Sequence, residues 1–219
     1  EIRAEGGECE FMKTDVMSVE AVKKNCEDIL AKYGRVDTLL NAAGGNMPGA
    51  TIPPDKTIFD LQPDQFQTVL ELNLTGTVIP TQIFLEPMVK QGKGSIINFS
   101  SMASFRPMTR VAGYAAAKAG ISNFTAFMAT ECAKKFGEGI RVNAIAPGFL
   151  VSAQNKALLF NEDGVVPWLL PFVSLCKDYI FLHHLVLDSS ACEECLQAFL
   201  QESRMLLLVA FDDILHRLA

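Results

Sequence analysis

The chain has 219 residues, of which 49% are hydrophobic and 20% charged, with a formal net charge of −6. That much apolar content over this length can bury one sizeable core, so a single domain is expected. The acidic balance argues against a nucleic-acid partner, because phosphate neutralisation needs clustered Lys and Arg and the nearest approach here is the pair Lys134 and Lys135.

In chain order, the sequence opens on Glu1 in "EIRAEGGECEF", as if between two elements, and reads as a fragment of a longer protein. "ECEFMKT" (8–14) has the pattern of a strand. Ser18 can cap a helix whose Val19, Val22, Cys26, Ile29, Leu30 and Tyr33 share one face, and Gly34 stops it. "VDTLLNAAGG" (36–45) is an apolar run ending in small residues, as a strand does when it delivers the chain to a ligand crevice. A Gly-, Pro- and Asp-rich loop follows, and Pro63 opens a long helical stretch through Gln91 that Gly76 and Pro80 should kink. "GSIINFSS" (94–101) is the next strand, 111–136 the next helix, and "GIRVNAIAPG" (139–148) a third apolar strand. This alternation implies an α/β fold, a doubly wound parallel sheet with helices on both faces.

Residues 165–187 are apolar, but Pro167, Pro171, Lys177, Asp178, His183 and His184 interrupt them, and no run reaches the roughly 18 apolar residues of a membrane span. The six cysteines lie in a chain too long to need disulfide staples, which fits a reducing, cytoplasmic setting. His183, His184, Cys192 and Cys195 invite a zinc reading. The C-x-x-C has no second pair and its surroundings are apolar, so no metal site is expected.

The chemistry centres on "VAGYAAAKAGIS". On a helix, positions i and i+4 share a face about 6 Å apart, so Tyr114 and Lys118 can present their polar ends to one site. Alone, the pair would more often be a solvated helix face. Other features converge on it, since Ser100 and Ser101 end one apolar strand, Asn41 to Gly44 end another, and Pro147 and Gly148 end a third. Ligands of open parallel sheets bind at those carboxyl ends. Asn73 adds a polar residue among Val69, Leu72 and Leu74.

Through "NAAG", Asn73, "SS" with Ser101, "YAAAK" and "VNAIAPG", over about residues 9 to 160, the sequence resembles the short-chain dehydrogenase/reductase superfamily. "NAAGGNMPGAT", "PTQIF" and "APGFLVSAQNKALLFNEDG" are similar to its D-mannonate oxidoreductase, or fructuronate reductase, branch. The resemblance implies a Rossmann-like fold and a carbonyl–alcohol interconversion on a sugar acid with NAD or NADP, NAD being favoured. It gives Tyr114 the role of general acid or base. A free phenol titrates near 10, so a base useful at neutrality needs about 3 to 4 kcal/mol in favour of phenolate, which a nearby ammonium and an oxidised nicotinamide could supply. Lys118 would also hold ribose hydroxyls, Ser101 would bond the substrate oxygen, and Asn73 would hold a water relaying protons from Lys118. A satisfied buried amide is the alternative for Asn73.

By the same resemblance, Asp15 and Val16 would meet adenine, Asn41, Ala42, Ala43 and Gly44 would line adenine and ribose, and Pro147, Gly148, Val151 and Ser152 would hold the nicotinamide amide. Asp15 could equally be a turn carboxylate. Asn46, Arg106, Arg110, Gln154 and Asn155 are candidates for a hydroxylated carboxylate substrate with an Arg as its partner, the alternative being ordinary surface arginines. A homo-oligomer built through the long helices is expected.

The sequence also departs from the family. No G-x-x-x-G-x-G phosphate-binding turn occurs, so the fold is expected to be incomplete, with its first strands absent and strand edges unpaired. Residues 1–164 then form a partial Rossmann-like domain. Residues 165–219 match no family pattern and form an atypical tail, helical or outside the native reading frame. A catalytically silent fragment, serving at most for binding or oligomerisation, is the alternative function.

Overall fold

The computed structural model describes residues 2–4, 6–106 and 108–148, followed by four short strands within 160–187. The first helix, α1 (Val19–Tyr33), begins where expected, since extended Ser18 accepts a hydrogen bond from the Ala21 amide at 3.2 Å. It ends at Gly34, whose φ of 74° lets its amide close on the Leu30 carbonyl at 2.8 Å. Val22, Asn25, Cys26 and Ile29 form its buried face. Val19 and Tyr33, expected on that face, stand exposed at the two ends of the helix, where Tyr33 donates to Glu10 instead.

Residues 8–14 form no strand. A strand needs a ladder partner, and among the described residues nothing pairs with the outer edge of β1 (Thr38–Asn41), which ends the sheet on that side. The segment is tied to α1 by side chains, Glu10 to Lys32 and Thr14 to Asn25.

Three strands make the parallel core. β1 pairs with β2 (Gly94–Phe99), aligning Leu39 with Ile96 and Asn41 with Asn98, and β2 pairs with β3 (Ile140–Ala146), aligning Ile96 with Val142. β4 (Phe160–Asn161) and β5 (Gly164–Val165) form a separate antiparallel pair. β6 (Ile180–Leu182) adds antiparallel to β3, and β7 (Leu185–Leu187) to β6, so the described pieces of the tail are extended.

The connecting helices are α2 (Pro63–Leu70), α3 (Gly76–Lys90) and α4 (Ala112–Phe136). Helices are expected on both faces of the sheet. Among the described residues the long ones share one face, where Val22, Cys26 and Ile29 of α1, Phe84 and Met88 of α3, and Met128 and Cys132 of α4 pack with Leu39, Ile96 and Val142. The reason is chirality: right-handed crossovers that step the same way across a sheet put their helices on the same side. The alternate residues of the strands face the other way, with Ile97, Phe99 and Ile145 half-buried and Arg141 and Asn143 exposed.

The helical stretch from Pro63 breaks one turn earlier than Gly76 and Pro80 suggest. Glu71–Thr75 form a π-type turn joining α2 to α3, while Pro80 lies buried within α3. Gly76 is needed beside that turn, because a Cβ there would stand 3.0 Å from Val16 Cγ2.

A buried polar ladder fixes the strand tips. Asn41 Nδ2 donates to Thr81 Oγ1 on α3 at 2.9 Å and to Asn98 Oδ1 at 2.8 Å, and Asn98 Nδ2 donates to Thr125 Oγ1 on α4 at 2.9 Å. All four residues are buried, so each bond lost would leave a polar group unpaired at about 1–3 kcal/mol. The ladder joins two strands and two helices just below the crevice at the strand ends.

Candidate active site

Four segments meet at that crevice. After β2 the chain stays extended through Ser101, whose hydroxyl oxygen accepts from the Ala103 amide at 3.1 Å and so caps a 3-10 turn over Met102–Ser104. That bond fixes the side chain while leaving its proton free to donate. The hydroxyl faces the phenol of Tyr114, in the first turn of α4, as a hydrogen-bonding neighbour. One turn further on, Lys118 is 6% exposed, its Nζ donates to the Phe99 carbonyl at 2.7 Å, and it lies 5.5 Å from the centroid of the Tyr114 ring. The i,i+4 spacing thus becomes one cluster, completed by a hydroxyl from the neighbouring strand tip.

The electrostatics differ from the expectation of a phenol made acidic by an ammonium. Burial pushes the Tyr114 phenol above its ordinary value, and the hydrogen bond from Ser101 pulls the other way less strongly. Burial also brings the Lys118 ammonium down, to about 8. The geometry explains why the ammonium does not win, since Nζ sits against the ring and spends a proton on a backbone carbonyl. At neutral pH this arrangement holds a protonated phenol beside a charged lysine, which leaves the phenol able to donate a proton.

Asn73 lies on the π-type turn and is fully buried. Its Oδ1 accepts from the Gly45 amide at 3.0 Å, and its Nδ2 donates to the carbonyls of Gly45 at 2.7 Å and Val69 at 2.8 Å. Its main-chain carbonyl accepts from Thr77 Oγ1 at 2.8 Å. The amide is therefore engaged in holding the glycine turn after β1. Gly44 and Gly45 carry φ of 149° and 153°, a region that L side chains avoid, and a Cβ on Gly44 would stand 2.6 Å from Asn73 Oδ1 and 3.7 Å from Lys118 Nζ. Asn73, Gly44, Ser101, Tyr114 and Lys118 thus come together.

The other candidates are placed as follows. Asn41 spends its side chain in the polar ladder. Ala42 is exposed and Ala43 half-buried beside the glycine turn. Asp15 is exposed, and its Oδ1 accepts from the Met17 amide at 2.9 Å, which makes it a turn carboxylate at the start of α1. Val16 is buried against Gly76. The Pro147 carbonyl accepts from Met102 at 3.0 Å, fastening the end of β3 to the turn after Ser101, with Gly148 half-buried next to it.

Arg106 is exposed. Arg110 adopts a left-handed φ of 73° and clamps Ile52, with its Nε donating to the Ile52 carbonyl at 2.8 Å and its own carbonyl accepting from the Ile52 amide at 2.9 Å. Asn46 donates from Nδ2 to Thr51 Oγ1 at 2.6 Å, while its Oδ1 is buried with no partner. Val151, Ser152, Gln154 and Asn155 lie outside the described residues, as do His183, His184, Cys192 and Cys195.

Two features of the site are absent from the sequence reading. The Phe99 carbonyl that holds Lys118 is a backbone group and leaves no residue-type signal. Asn98 could have been found, as the polar residue interrupting "SIINF".

The short-chain dehydrogenase family model matches residues 1–162. The chain belongs to that family. Among its relatives are uncharacterised oxidoreductases of Haemophilus influenzae, 42% identical over 174 residues, and of Bacillus subtilis, 42% identical over 172 residues. Each match covers 75% of this chain, and 60% and 61% of the relative. A structure from Haemophilus influenzae with bound NAD, provisionally described as a D-mannonate oxidoreductase, is 43% identical with a TM-score of 0.67, over 75% of this chain and 61% of that one. An NAD+-bound xylitol dehydrogenase structure is 32% identical with a TM-score of 0.63, over 69% of this chain and 55% of that one. The chain therefore spans about three-fifths of the length of the oxidoreductases it matches.

The residues at this crevice leave room and free donors that fit a dinucleotide. Gly45 has nothing within 4 Å of the place a Cβ would take, and of the three N–H groups of Lys118 one is spent on Phe99. Its pyrophosphate end has no glycine-rich turn in this sequence.

Proposed function

We propose that the protein carrying this chain interconverts a carbonyl and a secondary alcohol on a sugar acid of the fructuronate or mannonate type, with NAD or NADP as cofactor. The single observation that carries the reading is the juxtaposition of the Ser101 hydroxyl, fixed by the Ala103 amide, with the Tyr114 phenol and Lys118 one turn along α4, at the ends of parallel strands. The likeness to the NAD-bound Haemophilus protein supports the substrate class.

When bound, the reduced nicotinamide supplies the hydride that goes to the carbonyl carbon. Tyr114 delivers its phenolic proton to the oxygen as negative charge builds there, so the product is the alcohol. Ser101, its rotamer set by the Ala103 amide, donates to the same oxygen and steadies the charge. Lys118 keeps the phenol in place and would turn its remaining N–H groups to ribose hydroxyls, Ala42, Ala43 and Gly44 would line the adenine and ribose, and Pro147 and Gly148 would flank the nicotinamide. Asn73 holds the glycine turn that shapes this end of the crevice. Arg110, anchored through Nε, has two terminal guanidinium nitrogens for a carboxylate. Self-association is assigned to the outer side of α4, where Phe127 and Phe136 stand exposed.

The reading is tested by following NADH and NADPH absorbance for the full-length gene product against fructuronate, xylulose and an acetoacetyl thioester. Turnover of fructuronate at a kcat/KM at least 100-fold above the other two is expected. Preference for the thioester or for the neutral sugar would contradict the substrate class.

A further inference from the structure

A cluster of hydroxyls behind the site has no part in the chemistry described so far. Ser100, 3% exposed, lies between β2 and α4, with its Oγ 2.5 Å from Ser122 Oγ, 2.8 Å from Ser104 Oγ and 3.2 Å from the Lys118 carbonyl. Ser122 Oγ also approaches the Lys118 carbonyl, at 3.3 Å. A hydroxyl has one proton and two lone pairs, so Ser100 is saturated when it donates once and accepts twice. Donation to the Lys118 carbonyl and acceptance from Ser104 and Ser122 fulfil that balance with no orphan. The three hydroxyls belong to three pieces of the site: the strand tip leading into Ser101, the 3-10 turn that Ser101 caps, and the helical turn carrying Lys118.

We propose that Ser100 is a positioning residue that sets the spacing between the Ser101 hydroxyl and the Tyr114–Lys118 face of α4. Its own amide donates to the Ile145 carbonyl at 2.8 Å, so the backbone of Ser100 is fixed in the sheet and its side chain transmits that fixed position to the helix. Helix α4 offers little else polar to the sheet at this level. Lys118 Nζ on the Phe99 carbonyl is the companion tether, and the next polar contact is Thr125 with Asn98. A side chain that acts through others should affect the chemical step more than cofactor binding, since small displacements of reacting groups are costly in rate. The proposal rests on reading Ser101, Tyr114 and Lys118 as the acid–base site.

The test is steady-state kinetics on the full-length gene product with variants whose folding is checked by thermal melting. Ser100→Ala is expected to lower kcat roughly 10- to 100-fold with the KM for cofactor changed less than about twofold, and Ser100→Thr, which keeps the hydroxyl, to recover most of it. Because Ser122 shares the Lys118 carbonyl with Ser100 as well as bonding Ser100 itself, the two act as one unit, and the double variant Ser100→Ala/Ser122→Ala should be slower by much less than the product of the two single effects. If Ser100→Ala does not fold, Ser122→Ala, a mild change in an alanine-rich helix, must show the same split between kcat and KM. A folded Ser100→Ala with wild-type kcat, a threonine variant no better than alanine, or effects that multiply in the double variant would overturn the proposal. Tyr114→Phe run alongside separates the two failures: if it loses activity while Ser100→Ala does not, only the positioning role falls, and if it turns over normally the site itself has been misassigned.

Discussion

Tyr114→Phe is expected to lower kcat by roughly 10²- to 10⁴-fold, the range for loss of a positioned general acid, with little change in the KM for cofactor. The substitution keeps the ring that Lys118 lies against and removes the one atom that carries the proton. Its structural cost is confined to Ser101, whose hydroxyl loses a partner in a 9% exposed position, about 1 kcal/mol for one neutral hydrogen bond. A melting temperature near that of the wild type together with collapsed turnover is therefore the outcome to look for. Both are read on one preparation, by thermal melting and by the initial rate of NADH oxidation. Turnover within a few-fold of wild type would remove Tyr114 from the chemistry.

Lys118→Met should change how stability depends on pH. The folded-state value of about 8 lies below the ordinary 10.5, so between those limits the unfolded chain binds more protons than the folded one. The stability of the wild type on this account rises with pH from 8 towards 10.5, and below 8 the full penalty of burying the ammonium is present. A difference of that size corresponds to about 3 kcal/mol. Methionine cannot titrate, so the variant should lack this rise. It also leaves the Phe99 carbonyl without its donor, a loss of about 1–3 kcal/mol that offsets most of the gain at pH 7. Urea unfolding at pH 7, 8.5 and 9.5 distinguishes the two chains, and parallel curves would show that Lys118 is not buried in its charged form. Turnover should fall with the substitution, since the ribose and the phenol lose the same neighbour.

The residues of the candidate site are legible in the sequence because they stand out chemically. A tyrosine and a lysine one helical turn apart, a serine at the end of an apolar strand and glycines at the end of another are local patterns, and local patterns survive folding. What escaped was set by partners distant in sequence. Residues 8–14 have a strand's composition, yet a strand is defined by its neighbour, and β1 has none on that side among the described residues. For Asn73 the sequence leaves a relay water and a satisfied buried amide open, and the bonds to Gly45 and Val69, which only the π-type turn brings within reach, match the second. The direction of the Tyr114 shift is not legible in the sequence, which shows a cation nearby and does not show that burial opposes it. The resemblance puts Asn41 against the cofactor, while its side chain completes a ladder with Asn98, 57 positions away.

The central claim is that Ser101 and Tyr114 act on one substrate oxygen beside Lys118. A crystal structure of the full-length gene product with oxidised cofactor and a sugar-acid alcohol tests it most directly. The reacting oxygen is expected within hydrogen-bond distance, about 2.6–3.2 Å, of both Ser101 Oγ and Tyr114 Oη, with Lys118 Nζ on the ribose hydroxyls. A substrate seated with that oxygen bonded to neither residue would contradict it.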